Sequence, residues 1–137
     1  MTDDNLLRRF EDHVIDAEAM THENHLRLAW LLLRKYPLPE AMMHYRDGLL
    51  ALTTRLGLTD KYHETITFTL MLVLYDRMAH GPDDLDAFLA ANQDLLTDCK
   101  GVLTRWYRAE DLFTDAARLR FRFPDPAHAA TPAAEGD

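Results

Sequence analysis

The chain has 137 residues, 47% of them hydrophobic and 28% charged, a composition typical of one globular domain large enough to bury its own core. Its 23 acidic residues against 15 basic ones give a formal net charge of −8. This balance argues against nucleic acids and anionic membrane surfaces as partners, because both are bound by concentrated basic faces.

The cysteine content and the apolar runs predict a cytoplasmic protein. Cys99 is the single cysteine, so an internal disulfide is excluded and a reducing compartment is favoured. The charged N-terminus predicts that there is no signal peptide, and no apolar run approaches the ~20 residues that a membrane span needs.

The first two predicted helices are short amphipathic segments. Asp3 or Asp4 is a candidate N-cap for a helix that reaches about His13, with apolar residues on one face. The second helix covers about residues 22–35, with Thr21 as its N-cap. Two prolines, Pro37 and Pro39, follow it directly and predict its end.

The next two helices are longer and more apolar. The third is predicted over about residues 39–56, with Gly57 placed to end it in the left-handed conformation. The fourth is predicted over about residues 61–80, starting after Thr59 or Asp60. Its β-branched residues lower helix propensity, so a strand from Thr65 to Tyr75 is the rival prediction, but the length of the segment favours a helix.

The last third of the chain predicts shorter helices and a tail. A fifth helix ends near Asn92, a sixth covers about residues 94–107 with Gly101 as a weak point, and short turns follow over 109–121. Residues 124–137 are rich in Pro, Ala and acidic residues and are predicted to be disordered. The prediction is an all-α bundle of about five to seven helices over residues 1–123.

Two stretches with histidines suggest a functional site. His22 and His25 are three residues apart at the start of the second helix, so both side chains lie on one face. Unpaired N–H groups and the positive end of the helix dipole favour neutral imidazole there, which is the form that ligates metals, and they also make an anion site plausible.

The second stretch, "YHETITFT", places His63 beside Glu64 near the start of the fourth helix. Adjacent helical residues point about 100° apart, so one of them would contact an ion directly and the other would support it. Glu64 lies on an otherwise apolar face, where a carboxylate is costly unless it is paired or ligating. Histidines in first turns are also common as caps or surface residues, so spacing alone leaves this alternative open.

Four segments together carry a resemblance: "MTHENHLRLAWLLL", "YHETITFT", "FLAANQDLL" and "FRFPD". Over about residues 10–125 the chain resembles a family of small all-α bacterial proteins whose function is not settled. The resemblance therefore implies no reaction. It implies that five residues belong together: His22, His25, His63, Glu64 and Thr65.

From these observations the sequence predicts a small-molecule enzyme with a histidine-rich pocket that holds Fe, Cu or Zn, such as an oxidoreductase or a lyase. The metal ligands would be His22, His25 and His63; His63 and Glu64 would be catalytic; and the pocket would be shaped by Trp30, Tyr62, Thr67 and Tyr75. The alternatives are a non-catalytic helical carrier, ligand-binding or accessory protein, and a helical dimerisation module that forms a homodimer.

Overall fold

A computed structural model describes residues 1–129, which form ten α-helices and no strand. The all-α prediction is confirmed. Five of the helices have seven or more residues. The ten helices are α1 (Asp3–Glu11), α2 (His22–Lys35), α3 (Leu38–Arg55), α4 (Glu64–Met78), α5 (Leu85–Ala91), α6 (Gln93–Thr97), α7 (Cys99–Leu103), α8 (Ala109–Leu112), α9 (Asp115–Leu119) and α10 (Pro126–Ala129).

The helix count exceeds the predicted five to seven because the sixth predicted helix is broken in two and three short helices, α8, α9 and α10, follow it. Asp98 has φ −148° and ψ 52°, which interrupts the helix between α6 and α7. The Asp98 carboxylate then accepts a hydrogen bond from the backbone N–H of Gly101 at 3.1 Å and caps the new helix. The sixth predicted helix is therefore divided at Asp98, which caps α7, and not at Gly101.

α2 is the central helix of the bundle. It contacts α1, α3, α4, α5 and α6. Thr21 caps its start by accepting from the N–H of Asn24 at 3.2 Å, and the helix ends at Lys35, so both predicted ends are confirmed. Six of its residues are buried: Leu26, Leu28, Ala29, Trp30, Leu32 and Leu33.

α4 is helical throughout the segment for which a strand was the rival prediction. Three threonines are buried in it, and each hydroxyl has a partner, which removes the cost of burial. Thr65 donates to the carbonyl of Ala117 at 2.7 Å, and Thr67 donates to the carbonyl of His63 at 2.7 Å. Thr69 donates to the Tyr107 hydroxyl at 3.4 Å, so all three threonines are satisfied and the helix stays intact.

The connection between α3 and α4 differs in part from the prediction. Gly57 adopts φ +70° after α3, as expected for the residue that ends a helix. A single 3₁₀ turn, Thr59–Lys61, follows, so α4 begins at Glu64 rather than near residue 61. His63 is consequently the N-cap of α4 and not a residue of its first turn.

The segment predicted to be a disordered tail is described as far as residue 129. Within it, α10 forms one helical turn, and the His128 imidazole lies 2.9 Å from the carbonyl oxygen of Thr104. Residues 130–137 lie outside the described part of the chain, so disorder there stays a prediction. No helix within residues 1–129 is long and apolar enough to cross a membrane.

Candidate functional site

His22 opens α2 and is attached to α6. Its Nε2 lies 2.8 Å from the carbonyl oxygen of Leu95, so this nitrogen donates a proton to the carbonyl. The Nδ1 atom makes no hydrogen bond within residues 1–129. Although His22 is exposed, its ring is thus held in one orientation by a residue 73 positions along the chain.

His25 lies one turn further into α2 and is half-buried. Within residues 1–129, its imidazole makes no hydrogen bond, while its backbone carbonyl accepts one from the Tyr45 hydroxyl at 3.2 Å. Burial, and next the neighbouring His22, lower the pKa of His25 to about 4. His25 is therefore a neutral imidazole at physiological pH, with nitrogens available to another molecule.

His63 uses both of its ring nitrogens within the fold. Nδ1 accepts the N–H of Ile66 at 3.1 Å, which caps α4, and Nε2 lies 2.8 Å from the carbonyl oxygen of Leu112. The imidazole therefore carries its proton on Nε2 and joins α4 to α8. Burial, with a smaller contribution from Arg118, lowers its pKa and keeps it neutral.

The two histidine stretches meet at one cavity of about 460 Å³. Volumes of this size are typical of small-molecule sites. The wall contains five of the eight predicted site residues: His22, His25, Tyr62, His63 and Thr67. Seven of the other eleven wall residues are aliphatic, and most of them come from α3, its C-cap and α4: Ala17, Leu49, Leu52, Leu56, Leu58, Ile66 and Leu70.

Glu64 is next to the cavity but does not line it. Its Oε1 accepts from the Tyr62 hydroxyl at 2.6 Å and from Arg46 Nε at 2.9 Å. The carboxylate is therefore paired within the fold, which explains how it can be mostly buried. Since the Tyr62 side chain is part of the cavity wall, Glu64 positions one wall residue.

Trp30 and Tyr75 are not part of this site. Trp30 is 6% exposed, packs on Phe88 in the core, and has an indole N–H without a partner among residues 1–129. Tyr75 is 49% exposed and lies about 12 Å along α4 from Thr67, at 1.5 Å per residue. Both were expected to shape the pocket, and neither lines the cavity.

Sequence reasoning missed four wall residues that carry reactive or polar groups: Tyr45, Thr53, Lys61 and Cys99. The Thr53 hydroxyl donates to the carbonyl of Leu49 at 3.1 Å within its own helix. The hydroxyl of Tyr45 is explained by its bond to α2, and burial raises the pKa of the Cys99 thiol, so the thiol stays protonated. Lys61 is exposed in the 3₁₀ turn. Its nearness to His63 in the sequence was the only signal that could have placed it here.

The histidines in this arrangement do not form the predicted three-nitrogen ligand set. His63 has both nitrogens engaged and His22 has one, which leaves His22 Nδ1 and the imidazole of His25. Within residues 1–129, no three His, Cys, Asp or Glu side chains are grouped as a metal ion requires. A metal ion at this site stays a prediction from the sequence and is not supported by the geometry.

A second cavity, of about 520 Å³, lies between α4 and the segment that follows α9. Its wall is largely apolar and includes Leu72, Trp106, Phe121 and Phe123. None of the predicted site residues lines it. Its wall also contains polar side chains, but most of them are paired within the fold: Arg77 and Arg105 with Asp94, and the Tyr107 hydroxyl with the carbonyl of Arg122. The first cavity is therefore the better candidate, because its wall holds predicted site residues and an imidazole that makes no hydrogen bond within residues 1–129.

Comparison with protein-family models, with curated proteins and with solved structures finds no match to this chain. The resemblance to a family of small helical bacterial proteins accordingly stays a prediction. The evidence for a function therefore comes from the cavity and the residues of its wall.

Proposed function

We propose that the chain is a small-molecule enzyme whose site is the cavity between the starts of α2 and α4, with His25 as its proton acceptor. The observation that carries this proposal is the His25 imidazole, which lines the cavity, makes no hydrogen bond within residues 1–129, and has a lowered pKa. A half-buried imidazole without a partner costs stability, and such costs are common where a side chain serves a ligand.

The roles proposed for the other residues follow from their hydrogen bonds. His63 caps α4 and is saturated, so it holds the wall in place rather than exchanging protons. Glu64 positions the Tyr62 ring. His22 is attached to α6 through Nε2, which leaves its Nδ1 without a hydrogen bond within residues 1–129, and it lines the same cavity as His25. The catalytic role predicted for His63 and Glu64 thus passes to His25 in this proposal.

His25 is suited to accept a proton from a bound molecule. It is neutral at pH 7, so it has a free lone pair without prior deprotonation. A pKa of about 4 also makes it a weak base, whereas general bases work best when their pKa is near the working pH. A substrate that brings negative charge next to the imidazole would raise the pKa towards that range.

The test uses hydrogen exchange because a base that takes a proton from carbon returns a deuteron in D₂O. Small aldehydes, ketones and keto acids are incubated in D₂O with the native chain, with His25→Gln and with His80→Gln as the matched control, since His80 is exposed at the end of α4. NMR follows deuterium at the carbon beside the carbonyl. We expect exchange with the native chain and the control, reduced about 100-fold or more in His25→Gln.

The second candidate is a non-catalytic carrier, which the largely apolar surface of the wall favours. A carrier would bind members of the same set, shown by shifts of cavity amide signals, without any exchange, and His25→Gln would bind them equally well. If no compound shifts those signals, the cavity is not a small-molecule site and both candidates are wrong. A dimerisation module then remains, which light scattering on the native chain tests.

Elemental mass spectrometry on protein without a histidine tag tests the predicted metal. Because His63 is saturated, we expect no stoichiometric Fe, Cu or Zn. Stoichiometric metal that is lost in His22→Ala, His25→Ala and His63→Ala alike would contradict this expectation. It would show that His63 leaves its capping position to ligate.

A further inference from the structure

The wall of the histidine cavity has an unusual charge for this chain. None of its sixteen residues is acidic, although acidic residues outnumber basic ones by 23 to 15 in the sequence. The carboxylate of Glu64, which follows the wall residue His63 in the chain, is paired with Tyr62 and Arg46. The wall instead contains Lys61 and three imidazoles, so the groups that meet a ligand are neutral or positive.

Lys61 is the one wall residue with a permanent charge, and it is not neutralised by a neighbour. Within residues 1–129, its ammonium makes no ion pair or hydrogen bond, whereas Lys35 pairs with Glu11 at 2.7 Å. Lys61 lies in the 3₁₀ turn and is exposed, which places its charge at the mouth of the cavity.

The aliphatic wall changes in exposure from mouth to interior. Leu56 and Leu58 are 43% and 42% exposed and flank the opening on the connection that carries Lys61. Leu49, Leu52 and Leu70 are 8%, 7% and 6% exposed and form the deeper part. A ligand that fits this gradient has an apolar body inside and its charged end outside.

We propose that the ligand of this cavity is an apolar molecule with one anionic group, bound with the anion at Lys61 and the apolar body against the leucines of α3 and α4. The proposal rests on the proposed function, because it assumes that the cavity binds a small molecule. It specifies the substrate class: an alkyl or aryl carboxylate or a keto acid of similar polarity, rather than an amine or a sugar.

The position of His25 agrees with this class of ligand. An anion beside the cavity stabilises the protonated form of a neighbouring imidazole and so makes a weak base stronger. A cationic ligand would meet Lys61 and have no carboxylate on the wall to pair with. Charge therefore selects between ligands that have the same apolar body.

The test compares three probes that share one alkyl chain: octanoate, octanol and octylamine. Calorimetry gives each Kd at pH 7 and low ionic strength, and amide signals of Ile66 and Leu70 confirm binding in the cavity. We expect octanoate to bind most tightly and octylamine not to bind. In Lys61→Met, the Kd of octanoate should rise about fivefold, as expected for an exposed charge pair.

Two further variants serve as controls. Lys61→Arg keeps the positive charge and should retain octanoate binding. Lys100→Met removes a charge outside the cavity, where Lys100 lies over the Phe113 ring, and should leave every Kd unchanged. The Kd of octanol should change less than twofold in all three variants, because octanol is uncharged and forms no ion pair with Lys61.

The outcomes separate this inference from the proposed function. If octanol binds in the cavity as tightly as octanoate, or Lys61→Met leaves the Kd of octanoate unchanged, the inference is wrong while the small-molecule site stands. If none of the three probes shifts the cavity signals, the inference is wrong and the proposed site also loses its support.

Discussion

At the scale of single residues, His25 carries a cost that depends on pH. The unfolded chain takes up a proton at this residue as the pH falls below about 6.5. The folded chain takes it up only near the lowered pKa of about 4. Protons therefore favour the unfolded state in this interval, and the folded state loses stability as the pH falls through it.

We expect the free energy of unfolding of the native chain to fall by about 2 kcal/mol from this residue between pH 7 and pH 5. Urea unfolding at several pH values measures the fall, and His25→Gln should show a smaller one by about that amount. His63, whose pKa is also lowered, contributes in the same direction in both chains. Equal pH dependence in the two chains would mean that His25 is not buried in this way.

This interval avoids the carboxylates whose pKa values are lowered. The pKa of Asp94 is lowered mainly by Arg77, and that of Asp125 mainly by the backbone N–H of Ala127. Burial acts to raise the pKa of Glu11, but hydrogen bonds from Lys35 and Tyr36 outweigh it and lower this pKa as well. Their stabilising effect is present above their unfolded pKa of about 4 and is lost below it. The window from pH 5 to 7 therefore reports mainly on histidines.

Glu64 shows how far residue-level reasoning can reach. Its position on an apolar face predicted that it must be paired or ligating. In the structure Glu64 is paired with Arg46 and with the Tyr62 hydroxyl. The pKa of Tyr62 is raised mainly by burial and then by its hydrogen bond to Glu64. The sequence could not choose between pairing and ligation, because Arg46 lies on another helix.

At the scale of elements, α1 and α3 approach most closely at Gly48. A Cβ atom placed on Gly48 would lie 2.3 Å from two ring carbons of Phe10, which is 1% exposed. The Phe10 ring also packs against Tyr45 at 5.9 Å between centroids. The ring is therefore enclosed on both sides and has little room to move.

We expect Gly48→Ala to lower the free energy of unfolding by about 1–3 kcal/mol, as overpacking does. This is the opposite of the gain of about 1 kcal/mol that alanine gives over glycine in an open helix. Thermal or urea unfolding measures the change. Asp47→Ala, at the exposed neighbouring position, is the control and should stay within about 0.5 kcal/mol.

A double variant distinguishes this clash from other effects. Phe10→Leu removes the aromatic carbons that the new methyl group would meet, so the cost of Gly48→Ala should be smaller in that background. Stabilisation by Gly48→Ala in the native background would show that the two helices do not approach as closely as described.

Elements with strong local signals were predicted well. Thr21 and the prolines define α2, and Gly57 ends α3, because caps and breakers act within a few residues. The start of α4 was not predicted, and the weak point expected in the sixth helix at Gly101 lies at Asp98 instead. His63 and Asp98 cap these helices with side chains, and histidine is not among the residues favoured at that position.

Local patterns predicted only part of the way in which the two histidine stretches meet. Spacing placed His22 and His25 on one face, and the cavity has both on its wall with His63. How close the two stretches lie in space depends on contacts between distant parts of the chain, such as that between His22 and Leu95. A local sequence pattern carries no information about such contacts. Tyr75 was misplaced because a shared helix face says nothing about height along the axis.

At the scale of the whole molecule, the closing segment after α9 determines where the domain ends. Thr65 Oγ1 accepts the N–H of Arg122 at 3.0 Å, and the Tyr107 hydroxyl donates to the carbonyl of Arg122 at 2.6 Å. Beyond Phe123 the contacts are lighter: an exposed ion pair between Arg108 and Asp125, and the bond of His128 to Thr104.

Shortened chains test this boundary. Relative to a chain that ends at Ala129, one that ends at Phe123 should lose about 1 kcal/mol or less of unfolding free energy, because exposed ion pairs contribute little. A chain that ends at Leu119 should lose at least about 2 kcal/mol, because Thr65 loses the N–H of Arg122 and the Tyr107 hydroxyl loses the carbonyl of Arg122. Urea unfolding measures both. Similar losses for the two chains would contradict a domain boundary at residue 123.

Cys99 allows the histidine cavity to be labelled chemically. It is the single thiol of the chain and lies on the cavity wall, half-buried and with a raised pKa. A thiol-specific reagent therefore modifies the chain at this cavity alone, and slowly. Whatever molecule fills the cavity slows that modification further, so the rate of thiol labelling reports occupancy even before the occupant is identified.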